Sequence, residues 1–283
     1  MECLSFRREK KRLRWLLLSG VNASLKRNVL IALSLAMLVG EENVMAQDST
    51  DRSFENWPRI MLFSTNPWLA VIGSDSPSFA LYENGLVIFR AQTKGSPFLS
   101  ARLSPGDTAE LFKRLRPDPD FFELPDHIEA DPLKTDQPTN AISFRRGNSF
   151  KSVRVYGNLR ANQPARAAVP KSFLDLFDRI TSYSNEQATP WQPNFIEVML
   201  WPFENSALDP VPWPSQWPGL KDSRTKRRGA DSYSVYLPSE HFPELKKLLR
   251  SMDSGQSIQL GEKKWAISYR LPFPHEIPAA SRE

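Results

Sequence analysis

From residue 59 onward, short apolar runs broken by Gly, Pro, Asn and Asp dominate the chain, the pattern of strands joined by tight turns. Arg59-Ile-Met-Leu-Phe-Ser64 and Trp68-Leu-Ala-Val-Ile72 both have strand character. Apolar runs over 79–82 and 86–89 flank Asn84-Gly85, which predicts a β-hairpin closed by a type I′ turn with positive φ at both central residues. A strand over 99–103 leads into Ser104-Pro105, which opens a helix whose apolar stripe is Leu111, Phe112 and Leu115. After the Asp- and Pro-rich loop 117–138, strands over 141–145 and 152–156 pair around Gly147-Asn148. A second helix over 170–183 buries Phe173, Leu174, Phe177 and Ile180.

The second half echoes the first. Leu103, Glu110, Leu111 and Leu115 recur with the same spacing as Leu237, Glu244, Leu245 and Leu249, and Ala141-Ile-Ser-Phe-Arg145 recurs as Ala266-Ile-Ser-Tyr-Arg270. Both blocks read strand, helix, strand. The expectation is an α+β protein of antiparallel sheets with packed helices, built as two related sheet-and-helix modules by internal duplication. The modules span 57–184 and 194–283, joined by a linker over 185–193, and the second carries a Trp/Pro-rich loop at 203–230. A cleft between the modules is the expected place for a ligand.

Before the body lies a different pattern. Lys26-Arg27 precede an apolar run over 29–39, then Gly40-Glu41-Glu42-Asn43 and Val44-Met45-Ala46. A cationic segment, a short apolar stretch and small residues before a scissile bond define a secretory signal peptide, cleaved after Ala46. The run falls well short of the ~20 apolar residues a membrane span requires, so a retained anchor is the lesser alternative. The segment before Lys26 is unusually long for a leader and is consistent with translation starting further in, for example at Val21. Residues 47–56 are polar and read as a disordered tail. The expected address is the periplasm or the extracellular medium.

Removing the leader changes the charge. Of 37 Lys and Arg, eight lie in 1–46, and of 32 Asp and Glu, four do, so the remainder carries a formal net charge of +1. A near-neutral body has no global field to attract nucleic acid or anionic membrane. Cys3, the single cysteine, leaves with the leader, so disulfides, thiol chemistry and thiolate ligands are not expected.

Three kinds of candidate chemistry remain. Asp126, Asp131 and Asp136 lie in the acidic loop and are the weak candidates for a catalytic carboxylate pair. Calcium is not expected there, because the loop lacks an EF-hand glycine and closing Glu, and its prolines stiffen it. His127, His241 and His275 each adjoin an acid but show no metal-ligand spacing, so no cofactor or metal is expected. Ser223 and Lys226 match Ser-x-x-Lys formally but lie in a loop-like charged run. The most unusual stretch is Pro210-Val-Pro-Trp213-Pro-Ser-Gln-Trp217-Pro-Gly219, followed by Arg224, Lys226, Arg227 and Arg228. Exposed indoles beside cations suit a glycan or a partner protein, whereas buried indoles would make this a clamp over the sheet. The expectation is an exported, soluble, non-catalytic binding or interaction module for an extracytoplasmic glycan or protein. The alternative is a secreted hydrolase of envelope or extracellular polymer using a carboxylate pair.

Overall fold

A computed structural model describes residues 56–65, 67, 75–90, 96–160 and 162–277. The leader, nearly all of the polar segment 47–56 and the apolar run 68–72 lie outside the described residues. The described residues belong to one compact unit that contains both sheets.

The first sheet comprises β1 (Ile60–Ser64), β2 (Phe79–Leu81), β3 (Leu86–Arg90), β4 (Phe98–Arg102), β5 (His127–Glu129), β6 (Thr139–Arg146), β7 (Ser149–Tyr156) and β8 (Thr189–Pro190), in spatial order β5-β7-β6-β1-β2-β3-β4-β8. The second comprises β9 (Phe195–Pro202), β10 (Val211–Pro212), β11 (Thr225–Arg227), β12 (Tyr233–Pro238), β13 (Ile258–Leu260) and β14 (Lys263–Arg270), in order β10-β13-β14-β9-β12-β11. Pairing is antiparallel except at one edge of each sheet, where β5 runs parallel to β7 and β10 to β13. The helices are α1 (Pro105–Arg114), α2 (Pro119–Glu123), α3 (Gln163–Ala167), α4 (Lys171–Thr181) and α5 (Phe242–Ser251). The chain is therefore an α+β protein. Among the described residues no helix is long and apolar enough to cross a membrane.

Local chemistry accounts for these elements. Ser104 caps α1 by accepting a hydrogen bond from the Asp107 amide at 3.1 Å, with Pro105 in the first turn. Helix α4 buries Phe173, Leu176, Phe177 and Ile180 against Ile60, Leu62, Phe79 and Val87 of the first sheet. The β2–β3 hairpin lies where Asn84-Gly85 predicts it, but its turn differs. Tyr82 N–H donates to Leu86 O at 2.9 Å and Gly85 N–H to Tyr82 O at 3.2 Å, so the loop holds three residues, and only Gly85 has positive φ, at 78°. Gly147 and Gly261 open the two-residue turns β6–β7 and β13–β14 at φ 60° and 64°. The stretch 185–193 contributes β8 to the first sheet and Trp191 to a small apolar cluster.

The two sheets share one strand pair in common register. Ile60-Met-Leu-Phe63 in β1 faces β6 with Met61 opposite Ser143, and Val198-Met-Leu-Trp201 in β9 faces β14 with Met199 opposite Ser268. Around these pairs the connections diverge. Strand β7 follows β6 in the chain whereas β13 precedes β14, so duplication of a whole module is not confirmed.

Candidate ligand-binding site

Strand β9 buries both faces. Ile196, Val198 and Leu200 pack into an apolar core with Val235, Leu237, Leu245 and Trp265, while Glu197 and Met199 point to the opposite face. Sheet register places Tyr236 of β12 on one side of Glu197 and Arg270 of β14 on the other. Glu197 is 1% exposed and cannot remain ionised there without partners. It has several. Arg270 reaches Oε2 from Nη2 at 2.6 Å and from Nε at 2.8 Å, Arg228 Nη2 reaches Oε1 at 2.9 Å, and the Ser234 hydroxyl donates to Oε1 at 2.5 Å. Burial pushes the carboxyl up, but Arg270, Ser234 and Arg228 outweigh it, so Glu197 titrates below the ordinary carboxylate range. The Tyr236 hydroxyl is pushed up by burial and by Glu197, and it accepts a hydrogen bond from Arg228 Nη2 at 2.5 Å.

Arg270 also ties down the segment after β14. Its Nη1 pairs with Glu276, whose Oε2 accepts the Phe273 amide at 2.7 Å, and Ser76 Oγ donates to Leu271 O at 2.9 Å. Burial raises Glu276 above the carboxylate range despite the opposing pull of Arg270. Phe273, fully buried, then packs with Ala80, Tyr82, Ile88, Phe98 and Trp191, on the face of the first sheet turned away from its helices. His275 Nδ1 lies 2.9 Å from the Tyr82 hydroxyl.

At this junction opens a cleft of about 420 Å3. Tyr82, Asn84 and Leu86 come from the first sheet's hairpin, Trp191 and Asn194 from the segment entering β9, and Ile277 from the segment after β14. Its size falls within the roughly 300–1,000 Å3 typical of small-molecule sites. A second, more open depression of about 630 Å3 beside α1 mixes Arg102, Asp107, Glu110 and Arg114. Asp107 there is already bonded to the Ser104 cap, Arg102 Nη1 donates to Asn84 O at 3.3 Å and the Arg114 guanidinium lies 5.7 Å from the Tyr183 ring centre, so three of these four charges serve the fold.

The sequence candidates fall elsewhere. Trp213 and Trp217, the candidate ligand-binding indoles, are 9% and 4% exposed, so the clamp alternative holds and the ligand platform does not. They belong to the second sheet's core, edge to face with ring centres 5.2 Å apart, and Trp213 Nε1 donates to Pro218 O at 3.2 Å. The Pro-rich loop folds its indoles inward because two large apolar rings are better buried than left in water. The basic run does not form a patch. Arg224 pairs with Asp222 at 3.0 Å, Arg227 bonds the carbonyls of Gly229 and Ala230, Arg228 turns to Glu197, and Lys226 is exposed on the edge strand β11. Asp126 pairs with Lys151 at 3.0 Å, and Asp131 accepts from Lys134 at 2.9 Å and Asn162 at 2.6 Å. Asp136 is exposed in a left-handed turn at φ 57°. Among the described residues, no three His, Cys, Asp or Glu side chains form a potential metal site.

Sequence reasoning expected a cleft between the modules but singled out as candidates none of the residues that line it, and it missed the ionic cluster beside it. One signal was available, since Glu197 is the lone charge within the apolar run 195–201. A carboxylate in such a strand demands a buried cation, and Arg270, across the sheet, supplies it. No family model, curated protein or solved structure matches this chain.

Proposed function

We propose that this chain is an exported, non-catalytic binding module whose ligand, an extracytoplasmic glycan or a segment of a partner protein, occupies the cleft at the junction of the two sheets. The observation that carries this reading is the construction of the cleft. Its walls come from both sheets, and the segment behind it is held by Arg270 and Glu276. Bracing of this kind holds the backbone behind the cleft in place before a ligand arrives, which lowers the ordering cost of binding. Export is supported by the cationic, apolar and small-residue pattern ending at Ala46. The near-neutral body supports neither nucleic acid nor anionic membrane as partner.

The hydrolase reading has less support. Asp126 and Asp131 are each engaged by a lysine, and neither they nor Asp136 line this cleft. Incubating the purified protein with soluble envelope-polymer fragments and analysing the bound and free pools by mass spectrometry separates the readings. A binding module returns the fragments at unchanged mass, and cleavage products would overturn the non-catalytic assignment. Peptide mapping of the native protein tests export: an N-terminus at Gln47 is expected, and a peptide spanning Ala46 and Gln47 would contradict it.

A further inference from the structure

We propose that the junction cleft takes an uncharged, polyhydroxylated ligand: a short neutral saccharide. This inference rests on the cleft being the binding site. Four primary amides, Asn56, Asn84, Gln192 and Asn194, line one cavity beside the Trp191 indole. The side chains of Asn56, Gln192 and Asn194 hydrogen-bond to none of the described residues, and Asn84 uses only Oδ1, which accepts the Leu86 amide at 3.1 Å. Asn84 Oδ1 therefore braces the hairpin turn, while the other three amides do not hold the fold together. Each carries both a donor and an acceptor edge, and a sugar hydroxyl is likewise donor and acceptor at once, so a row of amides matches a row of hydroxyls.

Charge excludes the alternatives. Glu83 is the one charged residue in the lining, and both its oxygens are taken, Oε1 by Arg59 at 2.8 Å and Oε2 by Arg145 at 3.2 Å. A carboxylated or sulfated ligand would enter beside the Glu83 carboxylate with no cation in the lining and would lose its hydration uncompensated. A purely hydrocarbon ligand would cover the amides and leave them unpaired, at a cost of about 1–3 kcal/mol each. A neutral sugar meets neither penalty. Its C–H face suits the apolar surface of Trp191, Phe195 and Ile277, and its hydroxyls reach the amide rim.

The test is saturation-transfer-difference NMR and calorimetry on the full mature protein. The probes are maltose, cellobiose and diacetylchitobiose, with cellobiuronic acid and the end-blocked dipeptide N-acetyl-Leu-Phe-amide as charged and peptide controls. At least one neutral disaccharide should bind saturably, and Gln192→Ala with Asn194→Ala should weaken it tenfold or more without moving Tm, since both side chains are exposed and unbonded. Failure of every neutral probe overturns the saccharide assignment. If the uronic acid or the dipeptide binds instead and the double variant abolishes it, the cleft stands and the ligand class falls. A neutral saccharide that binds the double variant as tightly as the parent would overturn both.

Discussion

Replacing Arg270 by Met removes the cation that two buried carboxylates share. Glu197 is 1% exposed, Glu276 retains 17%, and Arg270 itself is 10% exposed. After the change, Arg228 is the remaining cation bonded to Glu197, and it is 42% exposed. Deleting one partner of a buried ion pair costs about 3–5 kcal/mol, because the other charge stays desolvated. In a folded body of this size, 1 kcal/mol moves Tm by roughly 2–4 °C, so the loss should be about 6–20 °C. Thermal and urea unfolding followed by circular dichroism measure it. Glu197→Gln should cost less, about 1–3 kcal/mol, since Arg270 keeps Glu276. The double variant should lose less than the sum of the two singles, because each change removes part of what the other leaves unpaired. A shift below about 2 °C for Arg270→Met, or strict additivity, would refute the cluster as the brace of the junction.

Three further outcomes are expected. Trp213→Ala should destabilise by about 3–5 kcal/mol, the range for a large aromatic removed from a core; an unchanged urea midpoint would mean that the indole is a surface platform after all. Gly85→Ala should cost at least about 1–2 kcal/mol, because its φ is +78° and the new Cβ would meet Leu103 O at 2.6 Å and Thr108 Oγ1 at 2.8 Å; neutral substitution would contradict the turn geometry. Acid unfolding should separate the two carboxylates. Glu197, depressed from its ordinary 4.5, stabilises fully above about pH 4.5 and loses that contribution as pH falls through its folded value, so Glu197→Gln should flatten the acid limb. Glu276 is raised from 4.5 and acts oppositely: its contribution declines as pH rises from 4.5 through the raised value, so Glu276→Gln should flatten that window instead. Stability curves recorded from pH 3 to pH 8 decide both.

The elements were legible wherever period and turn chemistry agreed. Ser104-Pro105 marks the start of α1, Gly147-Asn148 makes the β6–β7 turn, and the 170–183 stripe gives α4 with the expected Phe173, Phe177 and Ile180 inward, although Leu176 is buried there and the expected Leu174 only partly. The hairpin at Asn84-Gly85 was located but its turn was not, because a three-residue loop with one left-handed glycine satisfies the same dipeptide. Functional candidates were harder to place. Trp213 and Trp217 drew attention as a rigid, aromatic stretch, yet proline stiffness does not say which way a ring points. The basic residues after them looked like a patch because sequence shows charge without partners, and Arg228 finds Glu197 at a separation of 31 residues. The cleft was expected between the modules, but its lining was invisible for a similar reason. Tyr82, Trp191 and Ile277 meet only after both sheets and the segment beyond β14 are in place.

The most direct measurement is an amide chemical-shift titration of the protein with a neutral disaccharide. Saturable perturbations should concentrate at 56, 82–86, 191–195 and 274–277, the stretches that wall the cleft. Perturbations confined to 213–228 would instead return the ligand to the Trp and Arg loop and contradict a site at the sheet junction.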